Sequence, residues 1–246
     1  MDTLFAEIVT VLEKRASPRT AHAGSRFDKN PDYIAYGLYA SEVRDLIRGF
    51  RSRFVRLSPD QKLSLAERLY RAGIGELASV ATYLIASCRD GLSPRDFGRL
   101  DRCLDHFHGW GTTDDFSVSV LGPLLRRHPA ATIRLLTRWN RSRNRWKRRA
   151  SVVAFARKIG ASGRFTDEAL RLCDRLIWDR DDLVQKGVGW ALKDSMRGNR
   201  RKVYQYVQRL RTIGAPATIT LYAMRDLRGR ERSGLLELRA ARRPGG

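Results

Sequence analysis

The chain is short of acidic residues: 26 Asp and Glu stand against 48 Lys and Arg, a formal net charge of +22 in 246 residues. It also has little cysteine, methionine and histidine, with 3, 3 and 4 of each. Cys88, Cys103 and Cys173 lie far apart at apolar helical positions, which excludes a disulfide framework and reads as reduced core thiols. His106 and His108 diverge on a helix and have no third ligand nearby, so no metal site is expected. No apolar run approaches the roughly 18 residues a membrane span needs. The N-terminus lacks the basic-then-apolar order of a signal peptide. No glycine-rich phosphate loop or serine nucleophile elbow is present, and no cofactor is expected. These absences leave a cytoplasmic protein as the expectation.

What is present is hydrophobic residues at 42%, enough for a core, arranged at helical spacing nearly throughout. Val43, Leu46, Ile47, Phe50 and Phe54 form one stripe; Leu77, Val80, Ala81, Leu84, Ile85 and Cys88 form another. Ser58-Pro59 and Ser93-Pro94 are helix starts, with a capping hydroxyl followed by a proline at the first helical position. Ser41 with Glu42, and Thr166 with Asp167-Glu168, also read as starts. Phe116, Val118 and Val120 alternate with serines as a strand would, but a lone strand has no partner, so a helix is expected.

The starts fall near residues 41, 59, 75, 93, 114, 129, 144, 165, 181, 199 and 215. Taken in pairs they step by roughly 30–39 residues, the period of helix-pair repeats. The fold class expected is all-α: a HEAT-like solenoid over residues 1–227 with a concave basic face, interrupted by an irregular segment at 17–31. Residues 228–246 read as a basic frayed tail, and the protein as a monomer.

The charge is uneven. From Phe116 to Thr166 there is no acid and there are thirteen basic residues, seven of them between Arg138 and Arg149. A second acid-free stretch runs from Ser195 to Arg225. Salt bridges at i,i+4 are unavailable inside such stretches, so an outside counter-charge is expected, and a phosphate backbone supplies one. Arg141, Arg143, Arg145, Lys147, Arg148 and Arg149, with Lys186 and Lys193, are the candidate DNA-binding cations.

Three segments carry possible chemistry. They are Gly109-Trp110-Gly111-Thr112-Thr113-Asp114-Asp115, Trp146-Lys147-Arg148-Arg149-Ala150, and Lys186-Gly187-Val188-Gly189-Trp190. Each alone also fits packing or capping: Asp114 or Asp115 could cap a following helix, and Gly187 and Gly189 could permit close helix contact. In this order, and with Tyr36–Arg44 and Leu69-Tyr70 ahead of them, they resemble the DNA alkylation repair enzymes of the AlkD type. The resemblance spans roughly residues 27–225.

That resemblance implies a HEAT-like solenoid and a DNA glycosylase that hydrolyses the N-glycosidic bond of cationic N3- or N7-alkylated purines in duplex DNA. By position it implies that Asp114 is the catalytic carboxylate, that Trp110 and Trp190 are the active-site indoles, and that Arg149 contacts DNA. Asp115 beside Asp114 leaves the register of the carboxylate open. Lys193-Asp194 in place of the usual Arg-Glu, and Gly187 in place of Ala, keep open a non-catalytic relative that binds bent or branched DNA. A solenoid for RNA or an acidic protein is a third reading. The chemistry fits the residues: a cationic purine leaves neutral, so no general acid is needed, and one carboxylate can both steady the positive sugar and position water.

Overall fold

A computed structural model describes residues 2–18 and 33–238 of the chain. Among these residues every regular element is a helix, apart from an isolated parallel bridge between Ile34 and Ile74. The architecture is an all-α helical-repeat fold, and the chain divides into two compact units, residues 1–132 and 133–246. The expected irregular segment at 17–31 lies mostly outside the described residues.

In the first unit α1 (Asp2–Glu13) is followed by α2 (Ala40–Val55), α3 (Pro59–Arg71) and α4 (Gly75–Cys88). Next come α5 (Phe97–Leu104), α6 (Trp110–Phe116), a π-helical turn (Ser117–Leu121) and α7 (Gly122–Arg127). Helix α3 starts as its sequence dictates. The Ser58 hydroxyl accepts from the Gln61 N–H (3.2 Å), and the Gln61 carbonyl oxygen accepts from the Ser58 N–H (2.9 Å). A tight turn at Gly73, whose φ of 72° suits glycine, returns the chain into α4. The pair then buries Leu63, Leu65, Leu69 and Tyr70 against Leu77, Val80, Ala81 and Leu84. Each fully buried leucine or valine among them contributes about 1.5–3 kcal/mol relative to exposure.

In the second unit α8 (Pro129–Trp139), which begins at the junction, leads to α9 (Arg145–Val153), the short α10 (Lys158–Ala161) and α11 (Thr166–Arg175). Then follow α12 (Asp182–Gly198), α13 (Arg200–Thr212), α14 (Ala217–Ala223) and α15 (Gly229–Glu237). Helix α12 is central, packed against α9, α10 and α14. Glycine makes this possible: a Cβ at Gly189 would lie 2.7 Å from the Tyr222 Cβ, and one at Gly187 would lie 3.2 Å from the Arg149 Cγ. Asp181 caps α12, its Oδ1 accepting from the N–H groups of Leu183 (2.9 Å) and Val184 (3.2 Å).

The starts expected near 41, 59, 75, 129, 144, 165, 181, 199 and 215 lie within two residues of the observed ones. Three expectations are corrected, and one helix takes an unexpected form. Ser41 is not the cap of α2; its neighbour Glu42 reaches back to the Tyr39 N–H (2.7 Å). Near 93 the chain first forms a short 3-10 turn, Pro94–Asp96, and α5 begins at Phe97. The strand-like alternation around Val118 is a π turn, in which wider winding puts Ser117, Val120 and Leu121 inside together. Residues Gly229–Glu237 are helical, with Leu235 fully buried; the sequence there suggests a frayed tail, and residues 239–246 lie outside the described ones. All three cysteines are buried and free, and burial raises each thiol, that of Cys103 to about 12.

Candidate functional site

The first unit holds Trp110 and Asp114. Helix α6 begins at Trp110, four residues earlier than its acids suggest, so Asp114 is an interior helical residue and not a cap. This spacing is i,i+4, and it puts the indole and the carboxylate on one face of α6. The buried side of the helix anchors it. Phe116 is fully buried, edge-on to Phe107 (centroids 5.4 Å apart) and to Tyr70 (6.5 Å). Buried Thr113 donates to the Gly109 carbonyl (2.9 Å) and Ser117 to the Thr113 carbonyl (2.6 Å). With that side locked, Trp110 and Asp114 are held half-buried.

Asp115 points elsewhere, about 100° further round the helix. It is exposed and accepts from the Ser119 hydroxyl (2.8 Å). Both residues line a cleft of about 540 Å³ with Tyr33, Arg44, Glu76 and Tyr83. Glu76, which follows Leu69-Tyr70 in the segment that resembles the family but is assigned no role by that resemblance, is a further residue of this cleft. It is buried, and its two oxygens accept from the backbone N–H groups of Tyr36 (2.9 Å), Gly37 (2.8 Å) and Leu38 (2.9 Å). It thereby fixes the 36–38 segment at the cleft, where Gly37 has a φ of 88°.

The second unit holds Trp190 and the candidate cations. Trp190 is half-buried on α12, and the Arg157 guanidinium lies over its ring at 5.3 Å. Arg149 is buried on α9, its stem against Gly187 one turn before Trp190, and it donates to the Leu183 carbonyl. Lys147 is buried as well.

Several cations of the acid-free stretches and beside them pair with acids on other helices, so the lack of local salt bridges does not leave all of that charge for an outside partner. Arg148 grips Asp179 through Nε (2.6 Å) and Nη2 (3.2 Å), and donates to the carbonyls of Ser142 (3.0 Å) and Arg143 (2.9 Å). Arg145 pairs with Asp181 (3.3 Å) and lies over Trp146 (4.5 Å). Lys186 pairs with Asp182, and Lys193 with Asp194 (3.3 Å). In the later stretch Arg197 pairs with Asp226, Arg200 with Glu231, Lys202 with Asp167 and Arg209 with Asp174. Two of these pairs shift a titration. Hydrogen bonding to the guanidinium, chiefly, holds the Glu231 carboxyl low; Asp226 is also low, because its bond to Arg197 and the cations around it outweigh desolvation. Arg197 is raised in turn by Asp226.

Arg141 and Arg143 are exposed. Arg141 does not share the surroundings of Arg149. It lines a separate cleft of about 360 Å³ with Arg171, Arg175, Tyr206 and Arg209, on α11 and α13. Trp178, at 57% exposure in the loop before α12, is a further accessible indole that sequence spacing did not single out. Among the described residues, no three His, Cys, Asp or Glu side chains converge as metal ligands would. No described helix is long and apolar enough to cross a membrane.

Comparison with known proteins gives a consistent result. A family model described as DNA alkylation repair enzyme matches residues 8–227. No curated protein matches the chain. A solved structure described as "Predicted DNA alkylation repair enzyme from Enterococcus faecalis" is similar at a TM-score of 0.72 and 17% identity, covering 86% of this chain and 96% of that one. At that identity the likeness establishes the helical fold. The match over residues 8–227 establishes the family: the chain belongs to the DNA alkylation repair enzymes, and its role lies in the repair of alkylated DNA.

Proposed function

We propose that the protein is a monofunctional DNA glycosylase that releases N3- and N7-alkylated purines from duplex DNA, with Asp114 as its carboxylate. The observation that carries this reading is the register of α6, which sets Trp110 and Asp114 on one half-exposed face in a chain of this family. Alkylation at N3 or N7 leaves the purine cationic, and the base departs as a neutral molecule. The bond therefore breaks without protonation, and what develops in the transition state is positive charge on the deoxyribose.

An ionised Asp114 lowers that barrier by direct attraction and accepts the proton of the water that attacks the sugar. At 4 Å and an effective dielectric of 20, one such pair is worth about 4 kcal/mol, roughly a thousandfold in rate. The Trp110 face attracts the same positive charge and excludes water from one side of the sugar. In the second unit Trp190 offers DNA another indole face. Arg141 and Arg143, exposed on the surface, are the cations of the original set best placed to meet phosphates, whereas Arg148 and Arg149 act from within the fold to hold α9 and α12 in place.

The test is release of 7-methylguanine and 3-methyladenine from methylated duplex DNA. Wild-type protein releases base, Asp114→Asn loses about a thousandfold while still binding duplex, and Asp115→Asn keeps activity. Loss confined to Asp115→Asn would move the carboxylate to the cleft with Glu76. Tight, salt-sensitive duplex binding by a wild type that releases no base would replace the reading with that of a non-catalytic DNA-binding relative.

A further inference from the structure

Arg157 is the one non-glycine residue among those described with a positive φ (56°, ψ −130°). That region suits glycine, and an arginine there is strained. The strain persists because the surroundings fix the backbone. The Arg157 N–H donates to Oδ2 of Asp194 (2.7 Å), a carboxylate 1% exposed that is itself flanked by Lys193 (3.3 Å) and Arg197 (3.4 Å). Three residues on, Gly160 presses directly onto α12: a Cβ there would lie 2.8 Å from the Asp194 carbonyl carbon and the Ser195 nitrogen. The outcome of this forced turn is that an exposed guanidinium sits 5.3 Å from the centroid of the Trp190 ring.

We propose that Arg157 is a positioning residue that caps the Trp190 face in the free protein and moves to a DNA phosphate when duplex binds. This rests on the reading that Trp190 meets DNA. The physical case is one of competing cations. A positive purine, or the sugar turning positive beside it, seeks the same electron-rich indole face that Arg157 occupies. An exposed cation–π contact is weak, so it yields readily, and the freed guanidinium gains a charge-assisted bond to phosphate. The turn keeps the Arg157 Cα fixed while its side chain, on the surface, is free to redirect. In the unbound state the same contact holds the indole in one orientation and keeps it dry.

Three measurements test this, using the full chain. First, Arg157→Gly and Arg157→Ala both remove the guanidinium, but only glycine accepts the backbone angle. The glycine variant is expected to melt about 2–4 °C above the alanine one. Equal melting would show that the backbone is not held in this conformation and would overturn the proposal.

Second, acrylamide quenching of tryptophan emission is expected to rise in Arg157→Ala, and the rise is expected to vanish in a Trp190→Phe background. A rise that survives Trp190→Phe would mean that another indole is uncovered, against the proposal.

Third, affinity for unmodified duplex is followed against salt. Loss of one phosphate contact lowers the steepness of log K against log[salt] by about 0.9 in Arg157→Ala and Arg157→Gly, and Arg157→Lys restores it. A slope unchanged from wild type would make Arg157 a structural cap only. None of these readouts requires catalysis, so a failure to release base would count against the glycosylase reading alone.

Discussion

Glu76 is the residue whose removal tests the architecture of the first unit most directly. Its carboxylate accepts three backbone N–H groups from Tyr36, Gly37 and Leu38, and the bond to Gly37 is buried. A hydrogen bond to a charged acceptor contributes about 1.5–3 kcal/mol, and a buried donor left without a partner costs about 1–3 kcal/mol. The bonds to Tyr36 and Leu38 are only partly buried, so water can replace them in part. The expected cost of Glu76→Ala is therefore about 3–5 kcal/mol, below the simple sum. For a chain of this size that corresponds to a drop in melting temperature of roughly 10 °C.

Glu76→Gln separates the hydrogen bonds from the space the side chain fills. Its carbonyl can keep the Oε1 bonds to Gly37 and Leu38, while its amide now faces the Tyr36 N–H, donor against donor. Its cost is expected to be about 1–3 kcal/mol. Thermal denaturation by circular dichroism provides the comparison, and hydrogen exchange at Tyr36, Gly37 and Leu38 localises it. A Glu76→Ala cost below about 1 kcal/mol, or a Gln variant no more stable than the Ala variant, would refute the role given to these three bonds.

Other outcomes follow from the same geometry. Arg148→Ala breaks a largely buried pair with Asp179 and is expected to cost about 3–5 kcal/mol in a denaturant titration while leaving the salt dependence of DNA binding unchanged. A flatter slope would return Arg148 to the phosphate-contacting set. Gly189→Ala drives a methyl group to 2.7 Å from the Tyr222 Cβ, so α12 and α14 must separate. A loss of about 1–3 kcal/mol is expected by the same titration, and a neutral result would mean that the two helices pack less closely. Cys173 is buried, with its thiol raised by desolvation, so native protein is expected to resist a thiol reagent at neutral pH until it unfolds. Rapid labelling of folded protein at Cys173, read by peptide mass, would contradict that burial.

Much of the fold can be read without coordinates because helix starts are local events. Ser58 caps α3 and Asp181 caps α12 through bonds to the next two or three residues, and an apolar stripe records its own period. The closeness of α12 to its neighbours is visible in Gly187 and Gly189. The Trp110 and Asp114 pairing depends on where α6 begins, and there the local signals mislead: acids that resemble a cap are interior, and a π turn imitates alternation.

An all-α chain of paired helices, its buried thiols and its large positive charge are legible without coordinates, since each follows from composition or from neighbours a few residues apart. Which charges are paired inside the molecule is settled between helices far apart in the chain. Arg148 meets Asp179, and Arg209 meets Asp174, across about 30 residues of chain, a distance over which no local pattern reports. The angle at Arg157 is of the same kind: a carboxylate from another helix fixes it, and nothing in the run from Ala154 to Lys158 distinguishes it from an ordinary helical residue.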